Sequence, residues 1–267
     1  MAVIMSLYAS DRAEFVKEAV DSILNQSYDR FDFYIICDGP VKKEVDEYVG
    51  SLADDRLHVL KRDRNLGLAR SLNELLQVVL PEGYSYIARM DADDVCFADR
   101  FQRQIEFMDA HPQIDICGGF IEEMTENGTP MAVVKYPLTH DGMKAFFGRR
   151  NPLAHITVLF RRSYFAKAGL YPTDTNKDED TMFWLKGFLS GCVFANVDAP
   201  LAHVRVNDDF YCRRNGFDKS WGDFKNRCAV IRSLRLSPVD YLFAFGRFVF
   251  FILPMPWLTR LAYRYLR

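Results

Sequence analysis

Three carboxylates lie close together at the end of a short apolar segment, Tyr86–Met90. They are Asp91, Asp93 and Asp94, in the spacing D-x-D-D. Carboxylates this close repel one another, and burying them unpaired is costly. Mg²⁺ and Mn²⁺ remove that repulsion, because they prefer oxygen ligands and bind one or two protein carboxylates together with water and substrate phosphate. The spacing therefore predicts a site for a metal-bound diphosphate, although an acidic turn capping a helix near Asp99 has the same pattern.

A second acidic run, Asp178-Glu179-Asp180, precedes a segment with helical spacing, Thr181–Leu189. The positive end of the helix dipole favours carboxylates at this place. On the residues alone, the run can therefore be a simple helix cap.

The elements around the first cluster alternate between strand and helix. The predicted strands are Val3–Tyr8, Phe31–Cys37, Leu57–Leu60 and the segment before Asp91, with helices between them that include Leu68–Val79. Short connections between alternating elements indicate a parallel sheet wrapped by helices, and such sheets bind ligands beyond the carboxyl ends of their strands. Four side chains follow strand ends and are expected along one edge: Tyr8, Asp38, Arg62 and Asp91.

The second half of the chain has a less regular pattern. After a helix over Arg100–Ala110, we expect a strand at Ile114–Cys117 and a hairpin whose tip is Glu126–Thr129. Further strands are predicted at three places: Ala154–Phe160, Val193–Val197 and Leu201–Val206.

Composition limits the possible classes of protein. The 267 residues are 49% hydrophobic, which favours one large domain, with or without an appendage, over disorder. Six scattered cysteines without a C-x-x-C pair favour a reducing compartment. The first apolar run is too short for a signal peptide. We therefore expect a cytoplasmic protein.

The C-terminal part differs in charge. From Arg213 onward there are eleven Lys and Arg against three Asp and Glu, in a chain whose net charge is −2. Phe217–Leu234 reads as a basic amphipathic helix, and Tyr241–Leu253 is apolar except for Arg247. That apolar run is about 20 Å long as a helix, short of the roughly 30 Å hydrocarbon core of a bilayer. It favours an interfacial segment on a membrane surface, with a helical pair docked on the body or forming a dimer interface as the alternative.

Six segments of the chain occur in the order and spacing of a known family. They are Met5–Tyr8, Glu18–Tyr28, Cys37–Gly39, Asn65–Asn73, Met90–Asp94 and Glu179–Trp184. With these segments, the chain resembles a family-2 inverting glycosyltransferase of the GT-A fold over residues 1 to about 207. The tail, including Tyr211–Gly216, resembles the bacterial subgroup that builds surface polysaccharides, such as amylovoran-type and O-antigen transferases.

This resemblance implies an α/β fold with a mostly parallel, Rossmann-like sheet flanked by helices. It implies a GT-A catalytic domain over 1–207 and a basic helical extension over 208–267. The implied reaction moves one hexose from a UDP-sugar (UDP-Gal, UDP-Glc or an N-acetyl derivative) to a sugar on a polyprenyl-diphosphate lipid. The enzyme would lie peripherally on the inner face of the cell membrane, without a nucleic-acid partner and as a possible homodimer.

The resemblance also assigns roles on the donor side. Asp38 would accept a hydrogen bond from the uracil imide, Tyr8 would line the base pocket, and Arg70 would reach the nucleotide. In the motif Asp91-Ala92-Asp93, the first carboxylate would bond the ribose or support the metal shell. The last would bind Mn²⁺ or Mg²⁺ bridging the diphosphate.

On the acceptor side, Asp180 matches the position of the family's catalytic base. Glu179 is the alternative, because the acidic run leaves the register open by one residue. His155 matches a position near the acceptor. Arg205 would pair with phosphate in a segment that often reads Tyr-Arg-x-His in the family, but Asn207 replaces the later His, which argues against a metal ligand there.

Two other classes of protein remain as alternatives. A nucleotidyltransferase or other nucleotide-sugar enzyme would carry a Gly-rich phosphate loop after the first strand, and the segment Tyr8–Asp11 is not one. A non-catalytic binding module would not need the intact carboxylates Asp91, Asp93 and Asp180. The processive-synthase motif Q-x-x-R-W is also missing from the sequence, which favours transfer of a single sugar.

Overall fold

The computed structural model describes residues 1–175, 178–206 and 216–252. The strands are β1 (Ala2–Leu7), β2 (Asp32–Cys37), β3 (Leu57–Lys61), β4 (Tyr86–Met90), β5 (Val95–Cys96), β6 (Ile116–Met124), β7 (Pro130–Val134), β8 (Leu159–Arg161) and β9 (Phe194–Arg205). The helices are α1 (Ala13–Leu24), α2 (Lys43–Ser51), α3 (Leu68–Val79), α4 (Arg100–Ala110), α5 (His140–Phe147), α6 (Arg162–Ala168), α7 (Glu179–Leu189), α8 (Phe217–Ser233) and α9 (Val239–Ile252). A short 3₁₀ helix covers His155–Thr157.

Helix α3 shows how the regular half of the sequence determines its elements. It begins after Gly67, whose φ of 90° is a conformation that side chains with a Cβ rarely adopt. Its buried side chains follow the i, i+3, i+4, i+7 spacing of a helix with one apolar face: Leu72, Leu75, Leu76 and Val79. The predicted helix over 68–79 is confirmed.

The strands form one sheet in the order β3-β2-β1-β4-β8-β6-β9-β5, with β7 paired to β6. The first four strands are parallel, as predicted. Beyond β4 the sheet is mixed, because β8 is antiparallel to both of its neighbours and β5 is antiparallel to β9. Helices cover both faces: α1, α2 and α4 pack on one hydrophobic cluster, and α3, α5, α6, α7 and α8 on the other.

Two predictions for the second half of the chain were wrong. The strand expected over Ala154–Phe160 is a 3₁₀ helix followed by the short β8, because the hydroxyl of Thr157 donates to the carbonyl of Ala154 at 2.9 Å and closes a turn. The two closing strands are the single strand β9, in which a register shift opposite Gly119 and Phe120 accommodates the extra residues. The hairpin tip is confirmed between β6 and β7.

The C-terminal helices contact the body and also expose apolar side chains. Helix α8 contributes Val230 to the cluster that contains α7. Helix α9 buries Ala244 and Phe251, whereas Leu242 is 71% exposed. Within residues 1–175, 178–206 and 216–252, no helix combines the length and hydropathy needed to cross a bilayer. Three parts of the chain named in the sequence analysis lie outside the described residues. They are Asn207, the Tyr211–Gly216 motif as far as residue 215, which includes Cys212, and the tail beyond Ile252.

Candidate active site

The strand ends that the sequence analysis singled out do meet at one edge of the sheet. Leu7 at the end of β1 is paired with Cys37 at the end of β2, which in turn is paired with Lys61 of β3. On the other side of β1, Met5 is paired with Met90, the last residue of β4. The residues that follow these strands therefore share the carboxyl edge, which confirms the predicted placement of Tyr8, Asp38, Arg62 and Asp91.

The first acidic cluster is built on a buried ion pair. Arg89 lies in β4 with its side chain 2% exposed, and its Nη1 donates to Oδ2 of Asp91 at 2.5 Å. Its Nη2 bonds the other carboxylate oxygen. A buried guanidinium is costly without a partner, so this bidentate pair fixes Asp91 where β4 ends.

The other two carboxylates of the cluster have contrasting environments. Asp94 is buried and accepts a hydrogen bond from the backbone N–H of Arg205 at 2.8 Å. Burial raises the pKa of Asp94 well above its ordinary value, and the charges of Asp93 and Asp91 raise it further. Asp93 is exposed. Of the three, Asp93 is therefore the carboxylate that the turn presents to solvent.

Arg205 fastens this turn to its surroundings. Its Nε donates to the carbonyl of Asp93 at 2.9 Å, and its Nη1 to the carbonyl of Glu126 at the hairpin tip at 2.8 Å. Its Nη2 bonds the carboxylate of Glu18 on α1, and the guanidinium lies 4.2 Å from the centre of the Phe15 ring. Each guanidinium nitrogen of Arg205 thus has a partner within the protein. Its predicted contact with phosphate stays a prediction.

The loop after β1 brings a further carboxylate to this place. Asp11 accepts a hydrogen bond from the backbone N–H of Tyr8 at 2.8 Å, and the Tyr8 side chain is 39% exposed. Burial raises the pKa of Asp11 to about 7, the bond from Tyr8 opposes the shift, and the charges of Asp93 and Asp91 add to it. Sequence reasoning missed Asp11 as a site residue, because an Asp just before a helix is an ordinary N-cap.

Asp38 holds the loop that precedes α3. Its side chain is 3% exposed and accepts hydrogen bonds from the backbone N–H groups of Leu66 at 2.7 Å and Gly67 at 2.8 Å. Arg62 lies 3.3 Å from the same carboxylate. Arg70, one turn into α3, is exposed. Asp38 is thus a structural anchor at the sheet edge, and the nucleotide contacts of Asp38 and Arg70 stay predictions.

The second acidic cluster lies at the start of α7. Asp180 accepts a hydrogen bond from Nδ2 of Asn151 at 2.9 Å and another from the backbone N–H of Thr181 at 2.7 Å. Burial raises the pKa of Glu179, and the charge of Asp180 adds to that increase. Asp178 accepts from Nδ2 of Asn226 at 2.9 Å.

Carboxylates of both clusters influence the pKa of the same buried tyrosine, Tyr171. Burial raises the pKa of the Tyr171 hydroxyl, and the charge of Arg89 opposes the increase. The carboxylates of Asp180, Glu179 and Asp91 all raise this pKa further. The charge of Glu179 also acts on Arg89, the partner of Asp91. The Tyr171 ring also packs on Phe183 of α7 with centroids 4.0 Å apart. The end of β4 and the start of α7 therefore lie near one another, next to Tyr171 and Arg89, and the surface that they border is called the cleft below.

His155 completes this part of the cleft. Its Nε2 lies 2.9 Å from the hydroxyl of Tyr171, and its ring packs against Trp184 with centroids 5.6 Å apart. Burial lowers the pKa of His155 well below its ordinary value, and the charge of Arg89 lowers it further. The imidazole is therefore neutral at pH 7 and can exchange only hydrogen bonds with its neighbours.

The carboxylates fit a metal that arrives together with a diphosphate. Within the described ranges, no three His, Cys, Asp or Glu side chains form a cluster that could hold an ion by themselves. Asp91 is bonded to Arg89, and Asp94 favours its protonated form. Mg²⁺ and Mn²⁺ commonly take one or two protein carboxylates and complete their shell with water and phosphate oxygens. The exposed Asp93 suits that kind of site.

A sheet flanked by helices, with an acidic turn at the carboxyl edge of its parallel half, is the architecture of GT-A transferases. Residues 2–169 match the profile described as Glycosyl transferase family 2. This match covers more than half of the chain, and the protein belongs to that family.

Related proteins agree with this assignment. The amylovoran biosynthesis glycosyltransferase AmsE of Erwinia amylovora is 29% identical over 95% of this chain and 92% of its own. An Escherichia coli enzyme named UDP-Gal:alpha-D-GlcNAc-diphosphoundecaprenol beta-1,3-galactosyltransferase is 25% identical over 90% of this chain and 86% of its own. The mannosyltransferase PcManGT of Pyrobaculum calidifontis, solved with GDP-Man and Mn²⁺, shares the fold with a TM-score of 0.62 at 14% identity, over 98% of this chain and 72% of its own. The protein is thus a glycosyltransferase whose relatives include enzymes of surface-polysaccharide biosynthesis.

Proposed function

We propose that this glycosyltransferase moves one hexose from a UDP-sugar to the sugar of a polyprenyl-diphosphate lipid, with inversion at the anomeric carbon. The observation that carries the proposal is that both acidic clusters lie near Tyr171, whose hydroxyl lies 2.9 Å from His155 and whose ring packs on Phe183 of α7 with centroids 4.0 Å apart. Family membership decides against the nucleotidyltransferase alternative. The relatives named for amylovoran and for a diphosphoundecaprenol acceptor support the acceptor class.

We assign the donor to the carboxyl edge of the parallel half of the sheet. Tyr8, Asp38 and Arg70 follow or flank the strand ends where uridine would lie, and the Asp91-Ala92-Asp93 turn would face the ribose and the diphosphate. Asp93 would hold Mn²⁺ or Mg²⁺, with Asp91 supporting the shell from its bond to Arg89. When bound, the ion neutralises charge on the departing diphosphate. Arg205 keeps the turn in place through the carbonyl of Asp93.

We assign the base to Asp180. The acceptor hydroxyl attacks the anomeric carbon, the bond from that carbon to the diphosphate oxygen breaks on the opposite face, and the hydroxyl proton passes to the Asp180 carboxylate. Asp180 is preferred because it matches the family's base position and is oriented by Asn151, and Glu179, whose pKa burial raises, is the alternative. His155, neutral and bonded to Tyr171, would orient the acceptor sugar through hydrogen bonds.

The lipid-linked acceptor assigns a role to the C-terminal extension over 208–267, whose boundary with the catalytic domain lies outside the described residues. Helix α9 exposes the apolar side chains of Leu242, Phe245 and Val249, spaced along one stripe. Lys225 and Arg232 of α8 line a neighbouring groove of about 290 Å³. Apolar side chains beside cations fit the surface of an anionic bilayer. We therefore propose peripheral attachment at the cytoplasmic face of the membrane.

The donor and metal are tested by titrating the protein with UDP, with Mn²⁺ and with both, and by following the melting temperature. Stabilisation that requires both is expected, and Asp93→Asn should lose it. Assays of a panel of UDP-sugars against synthetic sugar-diphosphate lipids then test the reaction. Turnover with a GDP-sugar alone, or stabilisation by UDP without metal, would overturn the assignment.

The membrane surface is tested by flotation with vesicles of phosphatidylglycerol and phosphatidylcholine. The wild-type protein should float, and a Leu242→Asp, Phe245→Asp variant should not. Met131→Asp is the matched control, since Met131 is 56% exposed on the distant β7. The alternative result is a wild-type protein that does not float and elutes as a dimer, together with a double variant that elutes as a monomer. In that case the surface contacts a second copy of the chain and not a membrane.

A further inference from the structure

The carboxylate of Asp180 is oriented by a residue far away in the sequence. Nδ2 of Asn151, 29 residues earlier, donates to Oδ2 at 2.9 Å, while the backbone N–H of Thr181 donates to Oδ1 at 2.7 Å. Each carboxylate oxygen can accept two hydrogen bonds. The two donors therefore fix the plane of the carboxylate and still leave acceptor capacity for an incoming hydroxyl.

The amide of Asn151 is itself held in one orientation. Its Oδ1 lies 3.0 Å from the hydroxyl of Thr181 and 3.3 Å from Nη2 of Arg227. Turning the amide over would place its NH₂ group against a guanidinium and its oxygen against the carboxylate of Asp180. Both contacts would be repulsive, so Asn151 presents a donor to Asp180.

Arg227 is the buried part of this connection. Its side chain on α8 is 4% exposed, and its Nη1 donates to the carbonyl of Phe147 at 2.9 Å. Its charge is balanced by Asp223 at 3.5 Å, which also accepts from Nε of Arg247 on α9 at 3.2 Å. Burial acts to raise the pKa of Asp223, but the charges of Arg247 and Arg227 outweigh it and hold that pKa below its ordinary value. Both C-terminal helices thus contribute to the support.

A second hydrogen bond connects α8 to the start of α7. Asn226, next to Arg227, donates from Nδ2 to Oδ2 of Asp178 at 2.9 Å. Two successive residues of α8 therefore hold the start of α7, one directly and one through Asn151. The described part of the C-terminal extension reaches the acidic cluster at two points.

We propose that Asn151 and Arg227 are positioning residues for Asp180, and that α8 belongs to the catalytic apparatus as well as to the membrane-facing extension. This inference rests on the proposed role of Asp180 as the base. Asn151 orients the carboxylate, and Arg227 orients Asn151. Misplacing a reacting group by about 1 Å can cost about 10²-fold in rate.

The test uses Asn151→Ala and Arg227→Met in the full chain. Both should lower kcat by about 10- to 100-fold and leave the donor KM within about twofold, since neither residue is assigned to the nucleotide. Arg227→Lys should recover part of kcat. Arg103→Met, at an arginine 48% exposed on α4, is the control.

A double variant tests the connection itself. If Arg227 acts through Asn151, the Asn151→Ala, Arg227→Met protein should be no slower than the slower single variant, whereas independent effects would multiply. Losses that multiply would overturn the connection. A donor KM in Asn151→Ala that rises as much as kcat falls would reduce both residues to structural supports and overturn the proposal.

Asp180→Asn, measured in the same assay, separates the two proposals. If it retains activity, both the base and its positioning residues are refuted. If it is inactive while Asn151→Ala and Arg227→Met keep the wild-type kcat, only the positioning proposal is refuted. Should Arg227→Met melt below the assay temperature, Asn151→Ala and Arg227→Lys decide the outcome.

Discussion

The two acidic clusters of the cleft are held by buried arginines in different ways. Asp91 is bonded directly by Arg89 through both of its oxygens. Asp180 is connected to Arg227 only through the amide of Asn151. A direct ion pair places a positive charge against the carboxylate, whereas an amide donor orients a carboxylate without adding a charge.

This difference follows the chemistry proposed for each side. A group that faces a metal and a diphosphate must remain an anion, so a direct ion pair suits it. A group that accepts a proton must be held in the right orientation, and a neutral amide donor does this without placing a positive charge against it. The donor side of the cleft thus has a paired anion, and the acceptor side has an oriented proton acceptor.

The largest expected effect tests the acceptor side. Asp180→Asn keeps the size of the side chain and removes the proton acceptor, so kcat should fall by about 10²- to 10⁴-fold. The affinity for UDP with Mn²⁺, measured by calorimetry, should stay unchanged. A loss of UDP affinity as large as the loss of kcat would mean that this cluster also binds the donor. That result would refute the contrast between the two sides.

Arg89→Met tests the direct ion pair. Removing one partner of a buried pair leaves an uncompensated charge and should cost about 3–5 kcal/mol of the free energy of unfolding. Denaturant unfolding measures this loss. Asp91→Asn in the same chain should recover part of the stability without recovering activity. If the second change recovers nothing, the pair does not account for the loss.

Arg205 and Arg12 provide a matched comparison on the donor side. Both guanidinium groups lie 4.2 Å from the Phe15 ring, but Arg12 is 47% exposed and Arg205 only 4%. Arg205→Met should cost about 2–3 kcal/mol and raise the donor KM, because the carbonyl of Asp93 loses its buried donor. Arg12→Met should change stability by less than about 1 kcal/mol. Equal losses of stability for the two variants in chemical denaturation would contradict the role of Arg205 in holding the turn at Asp93.

The smallest effect comes from Asp11. Its pKa of about 7 in the folded protein lies above the roughly 3.9 of an unfolded Asp, so the folded state binds more protons between those values. Its contribution to stability is therefore complete below about pH 4 and is lost as the pH rises towards 7. Asp11→Asn should raise the melting temperature at pH 8 and leave it nearly unchanged at pH 4. A gain of the same size at both pH values would refute this titration.

The parallel half of the sheet could be predicted because its information is local. Helix α3 follows from its apolar spacing and from Gly67, and the common edge of β1, β2, β3 and β4 follows from their alternation with helices. Arg89 could also have been found, since a single charge in an otherwise apolar strand implies a buried partner. Each of these signals spans a few residues.

The supports of the second cluster could not be predicted in the same way. Asn151 stands before Pro152 and reads as an ordinary turn residue, and its contact with Arg227 spans 76 residues. The basic amphipathic helix predicted over Phe217–Leu234 gives no sign that Arg227 is buried, yet Arg227 lies on the buried face together with Val230 and Leu234. Its position three residues before Val230 was the only local signal.

The reach of α8 into the body has a consequence for protein engineering. A chimeric transferase can be made by joining the catalytic domain of one enzyme to the C-terminal extension of another at a boundary near residue 207. In this protein, the side chains of Asn226 and Arg227 donate hydrogen bonds to Asp178 and Asn151, respectively. Both acceptors lie upstream of that junction. A functional graft must therefore exchange positions 151 and 178 along with the tail, or the transplanted helix will arrive without its partners.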